Sequence, residues 1–307
     1  MKLFIIGNGF DRRHKCETGY DSFKEFLQTN SYMIGDFELS HYFNGLDKKL
    51  WDDFENELEN IDFGDQMEYY IADTNPDLPD GEFEHNVSLN AGFQESFEEA
   101  LKVFHPALCQ AISDFVIEAT SGKIDKKSYF SDIIESEDVF ITFNYTRLLE
   151  NVYKVDENNI NHIHGIANPR YRYKDDDLDS YGEPTIIFGH GNLRKTPKIH
   201  RNYEYNPFYP QKCLKALNQE LKKDYQFDEL KSFVMKYKDD IDTVEIIGHN
   251  LGEVDEQYFK ELNKLLPKQT KINYWLYNED EEDEKRGFLN SNLHGHPIQI
   301  KYYPEED

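Results

Sequence analysis

Short apolar runs recur along the chain at lengths typical of β-strands. They are Leu3–Ile6, Val139–Phe143, Ile160–Ile163, Thr185–Phe188, Val244–Ile247, Ile272–Leu276 and Ile298–Tyr302. Runs of this kind, without a regular alternation of polar residues, indicate strands that are buried on both faces. The pattern therefore predicts a mostly parallel sheet that is covered on both sides.

Helical periodicity fills much of the chain between these runs. Apolar residues at steps of three and four predict helices over Tyr20–Leu27, Phe93–Ala119, Leu148–Tyr153, Cys213–Tyr237 and Asp255–Leu265. Pro106 is expected to kink or split the second of them. Buried strands that alternate with helices predict an α/β fold, namely a Rossmann-type three-layer parallel sheet.

The spacing of the apolar runs is uneven and predicts two insertions. About 130 residues separate the first run from the second, and residues 32–127 read largely as helix. We therefore expect a large helical insert there, and a second insertion near residues 169–238. The Rossmann-type core would then comprise residues 1–31 and 128–307.

The charge of the chain bears on its partners. The formal net charge is −26, which disfavours nucleic acid and anionic membranes except where basic residues gather. One such segment, His190–Arg201, carries Arg194, Lys195, Lys198 and Arg201 without an acid. The segment is interpreted either as a solvated loop or as a basic patch.

The remaining composition predicts a soluble, cytoplasmic protein. The first apolar run is too short for a signal peptide, and no stretch approaches the length of a membrane span. Cys16, Cys109 and Cys213 are far apart and form no CxxC pair, so neither a disulfide framework nor a zinc site is indicated. The 22 Phe and 21 Tyr are enough to build a sizeable core.

Glycine, asparagine, histidine and aspartate follow five of the apolar runs. The segments are Gly7-Asn8-Gly9-Phe10-Asp11, Asn144-Tyr145-Thr146, His162-Ile163-His164-Gly165, Gly189-His190-Gly191-Asn192, and Gly248-His249-Asn250 continuing to Asp255. In an open parallel sheet, ligands bind outside the carboxyl ends of the strands. The recurrence at one predicted edge therefore indicates a binding site.

Each segment taken alone has a simpler structural interpretation. Gly7–Asp11 lacks the third glycine of the dinucleotide fingerprint and is then a strand–helix turn. Asn144 would satisfy backbone groups. Asp255 would stabilise the start of a helix. Trp51 and Glu55 have helical spacing and would form a packed, surface-facing pair.

The histidines leave a metal site open as an alternative. His162 and His164 are two residues apart, so on a strand both face the same side. His190 and His249 would have to converge on them to complete a ligand set. A metal-dependent hydrolase is therefore a third hypothesis, although the chain contains no HExxH motif.

Six short motifs resemble those of the AbiH family of phage abortive-infection proteins. They are GNGFD, WDDFENEL, TFNYTRLLE, HIHG, FGHGN and GHNLGEVDEQYF, in the expected order from Gly7 to Phe259. More distantly, the same order is similar to the sirtuin-like NAD-binding fold. The resemblance implies a sirtuin-like core and an antiphage effector that binds NAD and hydrolyses its nicotinamide–ribose bond.

The resemblance also implies roles for individual residues. It makes His164 the general base and Asn144 the residue that orders the ribose and the nicotinamide. The implied NAD-binding set is Gly7, Asn8, Gly9, Phe10, Asp11, Thr146, Gly189, His190, Gly248, His249, Asn250 and Asp255. Implied partners are a dinucleotide and either a second copy of the chain or another protein of a defence system.

Three departures from the sirtuin-like pattern affect the predicted chemistry. Thr146 stands where that family has an aspartate, Asn250 replaces a serine, and the zinc ribbon of the deacylases is missing. The last departure argues against protein deacylation. The first favours an alternative, a sensor that binds NAD or ADP-ribose without cleaving it, unless Asp11 supplies the missing charge.

Overall fold

The structure is a computed structural model. It describes residues 1–34, 37–43, 54–58, 87–170, 185–191, 215, 217 and 219–304. Trp51, Cys213 and most of the basic segment, from residue 192 onward, lie outside the described residues. The predictions made for them stay predictions, as does the division into a core and two insertions.

A six-stranded parallel sheet forms the centre of the molecule. Its strands are β1 (Lys2–Ile6), β4 (Val139–Thr142), β5 (Ile160–His162), β6 (Thr243–Ile247), β7 (Lys271–Leu276) and β8 (Ile298–Tyr302). A separate antiparallel pair consists of β2 (Met33–Ile34) and β3 (Phe37–Glu38). The order across the large sheet is β5-β4-β1-β6-β7-β8, which confirms the predicted parallel α/β sheet.

This strand order is that of a Rossmann-like sheet. The chain moves outward from β1 through β4 to β5, returns to the other side of β1, and moves outward again through β6, β7 and β8. The direction therefore reverses between β1 and β6. In open α/β sheets, ligands bind in the crevice at this switch point.

The apolar runs form strands because both of their faces are buried. Leu3 and Ile5 of β1 pack into one cluster, on the side of the sheet covered by Tyr258 and Leu262. Phe4 and Ile6 point the other way and pack into a second cluster. Successive side chains of a strand alternate between faces, so a strand between two layers must be apolar throughout.

Helices connect the strands and pack around the sheet. They are α1 (Asn8–Arg13), α2 (Tyr20–Thr29), α3 (Phe54–Glu57), α4 (Val87–Ala119), α5 (Ser128–Ser131), α6 (Phe227–Tyr237), α7 (Glu256–Leu265) and α8 (Glu282–Asn292). A π-helical turn spans Leu149–Tyr153 where a helix was predicted. None of the helices in the described ranges combines the length and the hydropathy that crossing a bilayer requires.

The long helix α4 is not split by its proline. Pro106 lies inside the helix and removes one backbone hydrogen bond from it. Phe104, Ala107 and Leu108 flank it and are completely buried. They belong to an aromatic-rich cluster with residues of α2 and α3. The apolar surface buried on both sides of Pro106 offsets the lost hydrogen bond, so the helix continues.

Two predicted elements are wrong. Thr185–Phe188 is not a strand of the large sheet, because Ile186 and Phe188 pack into the aromatic-rich cluster and Ile186 forms an isolated bridge with Gly165. The single helix predicted over Cys213–Tyr237 is interrupted. Its second part begins at Phe227, because the chain at Lys222 and Lys223 pairs with His190 instead.

The turn after β1 and the loop after β6 contact each other through their backbones. The Gly9 amide donates a 2.8 Å hydrogen bond to the Gly248 carbonyl. A Cβ atom on Gly7 would lie 2.5 Å from His249 Cα, and one on Gly248 would lie 2.1 Å from the Phe10 nitrogen. Gly248 also has φ +67°, which favours glycine. The close approach of these two loops is therefore enough to explain the glycines, without a bound ligand.

Replacement of Gly248 by alanine is expected to destabilise the protein strongly. The added methyl group collides with the backbone of the first turn, and the strained φ angle costs about 1–3 kcal/mol by itself. Chemical denaturation of Gly248→Ala should show a loss at least that large. Gly252→Ala is the control, since Gly252 has φ −68° and no atom within 4 Å of the added Cβ. Equal stability of the two variants would contradict the close packing of the loops.

Candidate functional site

A cavity of about 170 Å³ lies at the carboxyl ends of the central strands. Segments that follow β1, β4, β5 and β6 form one wall of it. This wall consists of Gly7, Asn8, Asp11, Thr18, Phe143, Asn144, Tyr145, Thr146, His164, His249, Asn250, Gly252, Val254 and Asp255. The cavity therefore lies at the switch point of the sheet, where ligands of such folds bind.

The opposite wall is mainly apolar and comes from helices outside the sheet. Phe23 of α2 and Ile112, Phe115 and Val116 of α4 contribute to it. Pockets for small molecules commonly combine an apolar lining with a few polar groups that fix the orientation of the ligand. The cavity has this division: most of its polar groups lie on the sheet side, and Tyr20 and Glu55 add two more from α2 and α3.

A buried carboxylate, Asp11, connects the turn after β1 with the loop after β4. Asn144 Nδ2 donates to Asp11 Oδ1 and Thr146 Oγ1 donates to Asp11 Oδ2, each at 2.9 Å. All three residues are at most 7% exposed. Burial raises the pKa of Asp11 to about 7, although both hydrogen bonds lower it. Asp11 therefore changes its charge close to neutral pH.

The side chain of Asn144 is held by one end and open at the other. Its Nδ2 donates to Gly7 O at 3.1 Å as well as to Asp11. Its Oδ1 is buried and has no hydrogen-bond partner among the residues that the structure describes. A buried acceptor without a donor is costly and calls for an explanation. A hydroxyl group of a bound ligand would satisfy it.

Two histidines share one carboxylate on the other side of the cavity. His164 Nε2 lies 3.3 Å from Asp255 Oδ1, and His249 Nε2 lies 3.4 Å from Asp255 Oδ2. Neither contact has the alignment of a hydrogen bond. Phe143 stands edge-on to both imidazole rings, with centroid distances of 4.9 Å and 4.4 Å. The Phe143 ring thus packs against both histidines, and the Asp255 carboxylate lies close to both of them.

The tautomer of a neutral His249 ring follows from its backbone contact. The Leu251 amide donates to His249 Nδ1 at 2.9 Å, so this nitrogen carries no proton. In the neutral imidazole the proton is then on Nε2, which faces Asp255. The Nε2–H of His249 therefore faces Asp255 Oδ2 at 3.4 Å without forming an aligned hydrogen bond.

Lys223 and Glu55 complete the charged groups of the site. Lys223 Nζ lies 2.7 Å from Glu55 Oε2 and 3.0 Å from Asp255 Oδ1. Tyr20 donates to Glu55 Oε1 at 2.9 Å. Burial would lower the pKa of Lys223, but Asp255 and Glu55 together raise it above its ordinary value. Lys223 is therefore a cation.

The same charges set the ionisation of Asp255 and His164. Burial alone would raise the pKa of Asp255, yet Lys223 and His164 hold it well below its ordinary value. Burial and the Lys223 charge lower the pKa of His164, against the opposite effect of Asp255. At neutral pH, Asp255 is a carboxylate and His164 is a neutral imidazole that can accept a proton.

Most residues predicted for the site line this cavity. They are Gly7, Asn8, Asp11, Asn144, Thr146, His164, His249, Asn250 and Asp255. Gly9 and Gly248 instead form the contact between loops, and the Phe10 ring packs in the core at 4.8 Å from Phe130. Gly189 and His190 lie beside Leu221–Lys223, where the backbones pair. The roles assigned to these residues stay predictions.

The structural interpretation is wrong for Glu55, and for Asp255 it stays a prediction. Asp255 is the residue before α7, where a negative charge favours the helix dipole, although its side chain makes no capping hydrogen bond and contacts Lys223 instead. Glu55 does not face the solvent, since its side chain is 15% exposed and lines the cavity. The WDDFENEL motif contains Glu55 and was a sequence signal for it, whereas the sequence offers no such signal for Lys223.

The four histidines proposed as metal ligands do not converge. His162 Nε2 lies 3.0 Å from Glu150 Oε1, and Glu150 does not line the cavity. Across the described ranges, no group of three or more His, Cys, Asp or Glu side chains has an arrangement that could hold a metal ion. The geometry therefore gives no support to the metal-dependent hydrolase.

The raised pKa of Asp11 predicts a specific dependence of stability on pH. An acid whose pKa is higher in the folded state than in the unfolded state binds its proton more tightly when folded, so stability is lost as pH rises from about 4 to 7. Relative to Asp11→Asn, the unmodified protein should lose on the order of 4 kcal/mol over this range.

Chemical denaturation between pH 4 and pH 8 measures this difference. Asp132→Asn is the matched control, because it removes an exposed carboxyl group and should leave a flat difference. A flat difference for Asp11→Asn as well would contradict the titration of Asp11 near neutral pH.

Comparison with known proteins places the chain in a family. A family model described as bacteriophage abortive infection AbiH matches residues 3–276, a range that contains every residue lining the cavity. No curated protein and no solved structure gives a significant match. The match implies a role in phage abortive infection. Because it covers well over half of its length, the chain belongs to the AbiH family of bacteriophage abortive-infection proteins.

Proposed function

We propose that this protein acts in abortive infection by cleaving the bond between nicotinamide and ribose in NAD. The proposal rests on one observation. A neutral histidine, an amide oxygen without a partner and a titrating carboxylate line the same cavity at the switch point of a Rossmann-like sheet. These groups are His164, Asn144 and Asp11.

The reaction makes limited demands on the protein. Nicotinamide leaves as a neutral molecule, so no strong general acid is needed. The ribose acquires positive charge as the bond breaks, in a transition state related to that of glycoside hydrolysis. The protein must therefore hold the ribose, stabilise positive charge and position the attacking water.

Asn144 is suited to hold the ribose. Its Oδ1 is a buried acceptor that faces no donor among the described residues, and its Nδ2 is fixed by Gly7 and Asp11. A side chain held in this way is already oriented before a ligand binds, which lowers the entropic cost of binding. A ribose hydroxyl group would donate to Oδ1.

His164 is suited to act as the general base. It is neutral at physiological pH because burial and Lys223 lower its pKa, so it can accept a proton from water or from a ribose hydroxyl group. Asp255 stands behind its Nε2 at 3.3 Å and would stabilise the imidazolium that forms.

The charges of the cavity favour a cationic group rather than an anionic one. The carboxyl groups of Asp11, Glu55 and Asp255 line it, whereas no Lys or Arg is among its described lining residues. We assign the cavity to the pyridinium–ribose end of NAD for this reason. Phe23, Phe115 and Tyr20 would contact the ring on the apolar side.

A binding role without cleavage is the second candidate. One observation favours it: Thr146, where the sirtuin-like pattern has an acid, presents a hydroxyl group that donates to Asp11. Under the first proposal, Asp11 supplies the negative charge in its place. The two candidates therefore differ in whether an ionised Asp11 contributes to catalysis.

Purified protein is expected to release nicotinamide from NAD, and His164→Ala should reduce kcat about 10²- to 10⁴-fold, the usual contribution of a general base. Asn144→Ala should also abolish most of the activity, because it removes the acceptor for the ribose. His162→Ala is the control, since His162 contacts Glu150 away from the cavity and the variant should remain active.

The assay separates the candidates when binding is measured on the same samples. Saturable binding of NAD without nicotinamide release would favour the sensor. Release that persists in folded His164→Ala would exclude His164 as the base, and circular dichroism checks the folding of each variant.

The ionisation of Asp11 predicts the pH dependence of cleavage. If its carboxylate stabilises the positive charge, kcat/KM should rise about tenfold per pH unit below pH 7 and level off above it, because the pKa of Asp11 is about 7. Asp11→Asn should lower kcat/KM and lose this ascending limb. An unchanged limb in Asp11→Asn would assign the titration to another group.

A further inference from the structure

Lys223 is a buried cation to which the proposed reaction gives no direct role. Its side chain is 0% exposed, and its ammonium lies between the carboxylates of Glu55 and Asp255. Burying a lysine removes its hydration, and the charge is tolerated only where partners of opposite charge replace the water. An ammonium held this firmly also constrains the groups that hold it.

Three distant parts of the chain meet at this ammonium. Glu55 belongs to α3, Lys223 lies in the segment just before α6, and Asp255 directly precedes α7. Lys223 is 168 residues from Glu55 and 32 residues from Asp255 along the chain. Tyr20 of α2 extends the contacts to Glu55. A continuous series of contacts therefore runs from the helices outside the sheet to Asp255.

The two oxygens of the Asp255 carboxylate face different side chains. Oδ1 faces both Lys223 and His164, at 3.0 Å and 3.3 Å, while Oδ2 faces His249 at 3.4 Å. Rotation of the carboxylate would break the close contact with the ammonium. Lys223 therefore restrains the plane in which Asp255 presents one oxygen to each imidazole.

We propose that Lys223 is a positioning residue: held by Glu55, it fixes the Asp255 carboxylate between His164 and His249 and so couples the placement of α3 to the candidate site. The inference deepens the proposed function, on which it rests for the role of His164. Without the contact to Glu55, the ammonium would depend on Asp255 alone.

The surroundings of His164 make this coupling measurable. Charged or titratable side chains near it are Lys223, Asp255, Glu55, Tyr145, Tyr258 and, through the shared carboxylate, His249. After burial, the Lys223 charge is the largest cause that lowers the pKa of His164, whereas Asp255 and Glu55 raise it. Loss of the Lys223 charge and loss of the Glu55 charge should therefore act in opposite directions.

The test is an NMR titration of full-length protein with isotope-labelled histidine, in which the His164 signal is assigned by its absence from His164→Asn. We expect Lys223→Met to raise the pKa of His164 and Glu55→Gln to lower it. Lys222→Met is the matched control, since it removes the same charge from an exposed neighbouring side chain and should change nothing. Opposite shifts would show that the charges of Lys223 and Glu55 both act on His164, and the activity of Lys223→Arg then tests the positioning itself.

A second variant guards against misfolding. Lys223→Met leaves the carboxylates of Glu55 and Asp255 without their shared cation, which could unfold the protein. The double variant Lys223→Met/Glu55→Gln removes one charge of each sign, and its His164 pKa should exceed that of Glu55→Gln alone. Equal values in these two proteins, or a Lys223→Met shift no larger than that of Lys222→Met, would overturn the proposal.

The rate of NAD cleavage provides a separate test of the positioning role in Lys223 variants. Lys223→Arg keeps the charge but not its geometry, so the pKa of His164 should stay low while kcat for NAD cleavage falls, by up to about a hundredfold for a misplacement near 1 Å. An unchanged kcat in Lys223→Arg and in Lys223→Met would contradict the positioning role. Failure of the unmodified protein to cleave NAD would contradict the proposed function instead, and the titrations would still decide the role of Lys223.

Discussion

The contact between two backbone turns is the constraint on which the candidate site depends. The turn after β1 and the loop after β6 approach until the Gly9 amide bonds the Gly248 carbonyl, a distance that side chains at these positions would prevent. Asp11 follows the first turn, and His249 and Asp255 follow the second. Because the turns touch at the point where the strand order reverses, both groups of polar residues enter one cavity.

The parallel sheet could be predicted because burial on both faces leaves a local mark on the sequence. Six apolar runs became its strands. Thr185–Phe188 has the same mark and a different structure, since its apolar side chains are buried among helices rather than between them and the sheet. An apolar run thus reports that a segment is buried, and the surrounding structure decides what it pairs with. The surrounding structure decides the outcome at Pro106 as well, because apolar side chains buried on both sides of it keep α4 continuous.

The polar residues of the site could be predicted from their positions after strands, since parallel strands bring their carboxyl ends to one edge. Asp11, Asn144 and His164 converge as this rule requires. The pair of Glu55 and Lys223 could not be found in this way, because a contact across 168 residues has no periodicity or spacing. Its effects reach the candidate site nevertheless, since both charges act on the pKa of His164.

The close packing of Gly189 against Leu221 affects the position of the Lys223 charge. Its φ is +151°, and a Cβ atom there would lie 2.2 Å from the Leu221 carbonyl oxygen. Close by, the Lys223 amide donates to the His190 carbonyl at 3.0 Å, which holds the lysine in line with the site. A single methyl group at residue 189 would push this segment outward and carry a positive charge away from Asp255. In this molecule, a steric tolerance of the backbone at Gly189 thus sets how closely a positive charge approaches the carboxylate between His164 and His249.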